Sequence, residues 1–217
     1  KAVLALDLRG QFDNVKHSSI LTNLSTTNCG QKTFNYIRAF LSHRTAFIRL
    51  DSTERGPYLL GTRGTPQGAV LSPLLFNLAM MNIPSLLNDV ERIQHALYAD
   101  DRTIWTNTGS LAQNEERLQK AALLVETYAD SCGLECSPAK SALLSVSSLP
   151  PPHNFLPSGP VPLVENIRIL GLHLTSSLDP KGAIAGLRRT SEQVSRMIRR
   201  ICTKRGGLRG SQFLRLA

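Results

Sequence analysis

The stretch Leu97-Tyr98-Ala99-Asp100-Asp101 decides how the remainder of the chain is read. Before it, Ile93, His95 and Leu97 alternate with Gln94, Ala96 and Tyr98, the period of two that a pleated strand imposes on its side chains. After it, Thr103, Ile104 and Trp105 are strand formers. Residues 93–98 and 102–106 therefore read as a β-hairpin that carries two adjacent carboxylates at or beside its tip. Neighbouring acids repel each other, so the pair needs solvent or a cation, and a hard, oxygen-loving divalent ion such as Mg2+ reverses the cost. Taken by itself the pair reads as a solvated polar turn, because Asp is common in turns and short motifs match by chance.

Working outward, residues 1–8 read as one buried strand, Ala2-Val3-Leu4-Ala5-Leu6, ending on Asp7. A carboxylate at the end of an apolar strand is exposed in a cleft, paired, or metal-bound, since burying it alone is expensive; capping the next turn is the plain alternative. Gly10 permits a tight turn, and a helix is expected from Ser18 or Ser19 with Ile20, Leu21 and Leu24 facing inward. A second helix fits 31–42 through Phe34, Ile37, Arg38 and Leu41. Strands are expected at 46–50 and 57–62 around a charged loop, 51–56. Arg63-Gly64-Thr65-Pro66-Gln67-Gly68 is a loop whose backbone can approach a ligand closely, and Ser72-Pro73 is a helix start. Leu74, Leu75, Leu78 and Met81 are expected to form the buried stripe of that helix, which Pro84 ends or kinks before a shorter piece toward Asn88.

Beyond the acidic hairpin, Ser110 and Gln113 form a capping-box pattern. Leu118, Ala122, Val125, Ala129 and Cys132 then give one apolar helix face, and Gly133 is a natural stop. Strands are expected at 134–136 and 141–146 around Ser137-Pro138-Ala139-Lys140. Residues 149–162 hold six of the twelve prolines and read as a loop. Residues 167–174 read as a strand, 180–204 as a basic helix, and Gly206-Gly207 as a break before another helix.

Composition narrows the function. The chain has 217 residues, 41% hydrophobic and 19% charged, enough for one or two folded domains. Its 25 Lys and Arg against 16 Asp and Glu leave a net charge of +9, which favours an anionic partner, nucleic acid first. The segment from Arg188 to Arg215 concentrates the surplus, with Glu192 as its one acid and Phe213 as its one aromatic, a poor match to a membrane-surface helix. Cys29, Cys132, Cys136 and Cys202 lack zinc-ligand spacing, which points to a reducing compartment. The charge-free run 64–88 is interrupted by Pro66, Pro73 and Pro84 and is not a membrane span. The abrupt start inside an apolar strand suggests an excised domain.

The order strand with Asp7, helices, strand hairpin with Asp100 and Asp101, helix and strand suits a split βαβ α+β sheet whose central strands set Asp7 beside Asp100. Three carboxylates at one sheet edge suit two Mg2+ ions roughly 3.5–4 Å apart, the arrangement that clamps attacking and leaving oxygens in phosphoryl transfer. Five segments in order across some 170 residues, 6–15, 64–73, 98–101, 133–140 and 170–174, resemble the reverse transcriptase domain of non-LTR (LINE-type) retrotransposons.

The resemblance implies an antiparallel polymerase palm packed on helices over 1–147, a Pro-rich loop over 148–162, primer-grip-like strands over 163–176, and the beginning of a basic helical thumb over 177–217, with the fingers missing. It implies that Asp7 and Asp100 bridge two Mg2+ ions, for which Mn2+ can substitute, with Asp101 a weaker ligand and the Leu8 carbonyl completing one shell. It further implies that the amides of Arg9, Gly10 and Gln11 face a triphosphate, that Phe12 lies under the sugar and excludes a 2′-hydroxyl, that Gln67 contacts the nucleotide or template base, that Gly68 lets the template approach, and that Lys140 protonates pyrophosphate. Gln11 departs from the small residue usual before the Phe and is expected to crowd the nucleotide pocket. The implied partners are an RNA template, a DNA primer and a dNTP, in an intracellular ribonucleoprotein of cytoplasm and nucleus, within a parent fused to an endonuclease. The rival readings are an inactive nucleic-acid-binding relic of such an element, a group II intron-type maturase, and an RNA-dependent RNA polymerase, against which Phe12 speaks.

Overall fold

A computed structural model describes residues 1–99, 101–146, 156–177 and 179–201. The expected Gly206-Gly207 break lies outside the described residues, as does most of the Pro-rich stretch. The chain divides into two compact units, Lys1–Glu165 and Asn166–Ala217.

In the first unit the elements follow in the order β1 (Ala2–Leu6), β2 (Leu8–Arg9), α1 (Gln11–Asn14), α2 (His17–Thr26), α3 (Gln31–Leu41), β3 (Thr45–Leu50), β4 (Thr53–Leu59), α4 (Ser72–Ala79), α5 (Ile83–Asn88), β5 (Ile93–Tyr98), β6 (Asp101–Thr106), α6 (Leu111–Ser131), β7 (Glu135–Cys136) and β8 (Ala142–Ser145). Strands β5-β6-β1-β8 form an antiparallel four-stranded sheet. The first strand of the chain is thus a central one. Leu4 and Leu6 of β1 point into the core with Ile104 and Leu143, and the helices supply Ile20, Leu75, Phe76, Leu118 and Val125.

The capping box of α6 is present in both directions, Ser110 Oγ accepting from the Gln113 amide and the Gln113 side chain accepting from the Ser110 amide. All five residues of its expected apolar face are buried. The helix stops where Gly133 turns at φ +82°; a Cβ there would meet Lys16 Cγ at 2.8 Å.

Three expectations for this unit need correction. The first strand does not run through Leu8: it ends at Leu6, and Leu8–Arg9 pairs separately with Glu135–Cys136. The strand breaks because the backbone of Asp7 bonds to a turn rather than a ladder, as described below. The loop 51–56 is a tight turn, with Thr53, Glu54 and Arg55 already in strand opposite Leu50, Arg49 and Ile48. These residues are exposed on both faces, so no alternation marks them, and Arg49 and Glu54 pair across the ribbon. In α4 the buried apolar residues are Leu75, Phe76 and Ala79, continued by Met80, while Leu74 and Met81 face solvent. Apolar residues occur all round this short helix, so spacing alone does not select the inward side.

The second unit holds β9 (Asn166–Ile169), β10 (Leu172–Thr175) and α7 (Lys181–Ile201). The expected single strand 167–174 is a hairpin, in register Ile169↔Leu172, because Leu170 and Gly171 both take positive φ, +48° and +86°, as a two-residue type I′ connection requires. Helix α7 carries Ile184, Leu187, Val194 and Met197 at helical spacing, all exposed, and the pairs Arg188–Glu192 and Arg196–Glu192 along its surface. No helix among the described residues is long and apolar enough to cross a membrane.

Candidate active site

The sheet register brings two of the expected acids to one place. Strands β1 and β6 are neighbours with Leu6 opposite Arg102, so Asp7, one step past Leu6, and Asp101, one step before Arg102, lie at the same end of the ladder. Asp101 opens β6 opposite Tyr98 and is exposed; Asp7 is half-buried. Asp100 lies outside the described residues. Ala99 before it adopts φ +50°.

The backbone of Asp7 is fixed on both sides by one turn. Its N–H donates to Ser141 Oγ at 3.1 Å, and its carbonyl accepts from the Ser137 N–H at 2.9 Å. Ser141 Oγ donates in turn to the Ser137 carbonyl at 2.9 Å, and the Lys140 N–H reaches the same carbonyl at 3.1 Å. Both serines are buried, so the turn is a polar bracket set into the core beside the acid. Lys140 itself is exposed on that turn. Neither serine was anticipated. The available signal was a pair of serines four apart flanking a proline, directly before an apolar strand.

Next to Asp7, the Leu8 side chain is buried and its carbonyl accepts from Gln11 Nε2 at 3.1 Å. A carbonyl oxygen has two acceptor positions, and this bond takes one of them. The Gln11 side chain thus turns back onto the strand. Gly10 sits at φ +58° and its carbonyl accepts from the Asp13 and Asn14 amides, turning the chain into α1. Arg9 is exposed and faces Glu135 at 3.9 Å. The Phe12 ring is half-buried, 5.5 Å from the Phe76 ring and inclined at 46°.

A seam of backbone contacts joins this segment to the loop that carries Gln67. The Gly64 N–H donates to the Val15 carbonyl at 2.8 Å and the Thr65 N–H to the Phe12 carbonyl at 2.6 Å; His17 Nε2 bonds to the Gly64 carbonyl at 2.7 Å. Only glycine fits at 64, which adopts φ +79° and where a Cβ would sit 2.6 Å from the Asp13 carbonyl oxygen. Gln67 is exposed and its Nε2 donates to Asp13. Gly68, at φ +82°, has open space where a side chain would project.

Arg102 is another residue not anticipated. It is 2% exposed, and its guanidinium lies 5.7 Å from the centre of the Phe76 ring, so a buried cation supports the aromatic on which Phe12 rests. Its sequence signal was a charge placed among strand formers. Arg102 also acts on Cys136: burial, then the Glu126 carboxylate, pushes that thiol up to about 12, while Arg102 opposes the shift and Asp130 and Asp7 add to it.

Asp7, Asp101 and the Leu8 carbonyl offer oxygen donors only, the ligand type that Mg2+ and Mn2+ prefer. Among the described residues no three His, Cys, Asp or Glu side chains cluster closely enough to hold an ion by themselves.

Residues 1–174 match the reverse transcriptase (RNA-dependent DNA polymerase) family. The chain is 29% identical over 187 residues to the putative 115 kDa protein of type-1 retrotransposable element R1DM of Drosophila melanogaster, covering 84% of this chain and 18% of that protein. It is 30% identical over 155 residues to the Pol polyprotein of element R2 of Popillia japonica, covering 67% and 21%, and 32% identical over 152 residues to that of Nasonia vitripennis, covering 66% and 14%. It thus spans between 14% and 21% of the length of these relatives. Among solved structures, apo telomerase from Candida tropicalis, truncated from its C-terminal domain, superposes with a TM-score of 0.57 at 11% identity, covering 82% of this chain and 34% of that one. At that identity the likeness is one of fold.

Proposed function

The chain belongs to the reverse transcriptase family and has non-LTR retrotransposon relatives, and from that premise we propose that it is the catalytic core of an RNA-directed DNA polymerase. In this proposal residues 1–147 are the palm, and the second unit carries primer-grip strands and the start of a thumb. The observation that carries it is the pairing of β1 with β6, which sets Asp7 and Asp101 at one end of the sheet, next to the seam that joins Phe12 to the Gln67 loop.

Oxygen donors of this type would suit two divalent ions, which when bound would supply positive charge to the oxygens of the reacting phosphate. The residues do the rest. Asp7, Asp100 and Asp101, with the Leu8 carbonyl, would hold those ions. The bracket of Ser137 and Ser141 fixes the backbone of Asp7. The turn at Arg9, Gly10 and Gln11 offers backbone amides to the triphosphate. Phe12, backed by Phe76 and Arg102, forms a floor under the sugar that leaves no room for a 2′-hydroxyl. Gln67 contacts the incoming nucleotide or the template base, and the open side of Gly68 accepts the template strand. Lys140, exposed on the bracket turn, delivers a proton to the leaving pyrophosphate.

Charge supports a nucleic-acid partner. A groove of about 700 Å3 beside the start of α2 has Lys16, His17, His43 and Arg63 on its walls and no acid among the described residues that line it. An RNA template annealed to a DNA primer is the partner proposed, inside a multidomain parent acting as a ribonucleoprotein. The test is primer extension by that parent with dNTPs and Mg2+. Wild type extends the primer on RNA, and Asp100→Asn abolishes extension. A wild type that never extends refutes the proposal; extension that survives Asp100→Asn refutes the role of that acid.

A further inference from the structure

We infer that Asp13 is a positioning residue of the nucleotide site, fixing which end of the Gln67 side-chain amide the site presents; this rests on the polymerase proposal and deepens it. Gln67 Nε2 lies 2.8 Å from Asp13 Oδ1 and 3.0 Å from Oδ2. A carboxylate offers acceptors only, so the amide end that faces it is the NH2 group, and Gln67 Oε1 is the end left for a ligand. The bond is charge-assisted, hence stronger and better directed than one between neutral groups.

Both partners stand on a braced frame, although 54 positions separate them. Just before Gln67, the Pro66 carbonyl accepts from Ser72 Oγ at 2.6 Å and from the Ala69 N–H at 3.1 Å. Asp13 lies between Phe12 and Val15, whose carbonyls receive the Thr65 and Gly64 amides. Both side chains are exposed, where a polar contact adds little to stability. The effect of the pair is therefore on orientation. Gln67 is held as an acceptor, and the group it meets is an O–H or N–H donor, either a sugar hydroxyl of the incoming nucleotide or a base amino group.

The test is single-nucleotide incorporation by the full-length parent, comparing wild type, Asp13→Asn, Gln67→Glu and the double variant. Asparagine in place of Asp13 can present either end of its own amide, so it no longer fixes Gln67; KM for the nucleotide rises about threefold to tenfold, the worth of one hydrogen bond, with kcat within about twofold. Gln67→Glu sets two carboxylates face to face and raises KM further. The double variant recovers, because the introduced asparagine turns its NH2 group toward the introduced carboxylate and an acceptor again points to the ligand. A merely structural role lowers kcat and melting temperature together and shows no recovery. Dideoxynucleotides and base analogues lacking the amino group separate the two donors: discrimination against one of them shrinks in Asp13→Asn. An unchanged KM, a double variant no better than Gln67→Glu, or discrimination against neither analogue altered overturns the inference. If the wild-type parent does not polymerise, the pair is read in the 217-residue chain itself. There the Gln67 side-chain NH2 resonances shift on Asp13→Asn, and resonances that stay in place overturn the pairing independently of catalysis.

Discussion

Gly64→Ala tests the seam between the two halves of the site directly. The added Cβ would meet Asp13 O at 2.6 Å, Asp13 C at 3.0 Å and Asp13 Cα at 3.2 Å, all backbone atoms that no rotamer change moves. To reach ordinary contact near 3.4 Å the loop must retreat by about 0.8 Å. That displacement stretches the Gly64 N–H to Val15 bond from 2.8 Å and the Thr65 N–H to Phe12 bond from 2.6 Å to the edge of hydrogen-bond range or past it. Two weakened hydrogen bonds, at about 1 kcal/mol each, add to about 1–2 kcal/mol for an L-residue at φ +79°. The expected loss is about 3–4 kcal/mol, which at about 2–4 °C per kcal/mol lowers the melting temperature by about 6–16 °C. Urea unfolding of the 217-residue chain measures it, and in the parent KM for the nucleotide rises as Gln67 draws away from Asp13. A variant that melts within about 2 °C of wild type shows that the seam yields without cost, and the reasoning fails.

Ser141→Ala removes the acceptor of the Asp7 amide and the donor to Ser137; stability falls by about 1–3 kcal/mol, and Mg2+-dependent extension drops by more than the population of folded protein accounts for. Unchanged activity in folded Ser141→Ala counts against the bracket. Arg102→Ala strips a buried cation from the Phe76 ring and leaves a cavity, at about 2–4 kcal/mol, checked by denaturant unfolding; a shift under about 1 kcal/mol refutes its supporting role. Because the Cys136 thiol is raised to about 12 in the folded state, the fold favours its protonated form. That stability is complete below the usual thiol value near 9 and is lost as pH rises toward 12, at up to about 1.4 kcal/mol per unit. Unfolding midpoints from pH 8 to 11 measure the slope, and Cys136→Val should flatten it.

The elements legible in the sequence were those whose two faces differ. Residues 93–98 alternate cleanly, and α6 shows both its cap and its inward stripe, so each was readable with bounds close to those observed. Legibility failed where both faces resemble each other: α4 is apolar all round, and the ribbon of β3 and β4 is exposed on both sides. The hairpin of β9 and β10 was missed although Gly171 stood inside the run, because Leu170 at positive φ carries no compositional mark. At the candidate site, residue types singled out the acids and the loop at 64–68, while Phe12 and Gln67 were singled out by the family resemblance. The contacts that hold them did not show, since Ser141 and Asp7 are 134 positions apart and no local pattern encodes the bond between them.

The central placement of β1 has a consequence for synthesis. Ala2–Leu6 is made before either of its two sheet neighbours, Asp101–Thr106 and Ala142–Ser145. At about 5–20 residues per second, roughly 5–20 s pass before the nearer neighbour is made, and longer before the bracket around Asp7 can close. Throughout that interval five apolar residues sit in a nascent chain with both strand edges open. Newborn copies of this polypeptide should therefore lean on chaperones that shield hydrophobic segments, and slowing translation between the two neighbours should lower the soluble yield more than slowing it after residue 146.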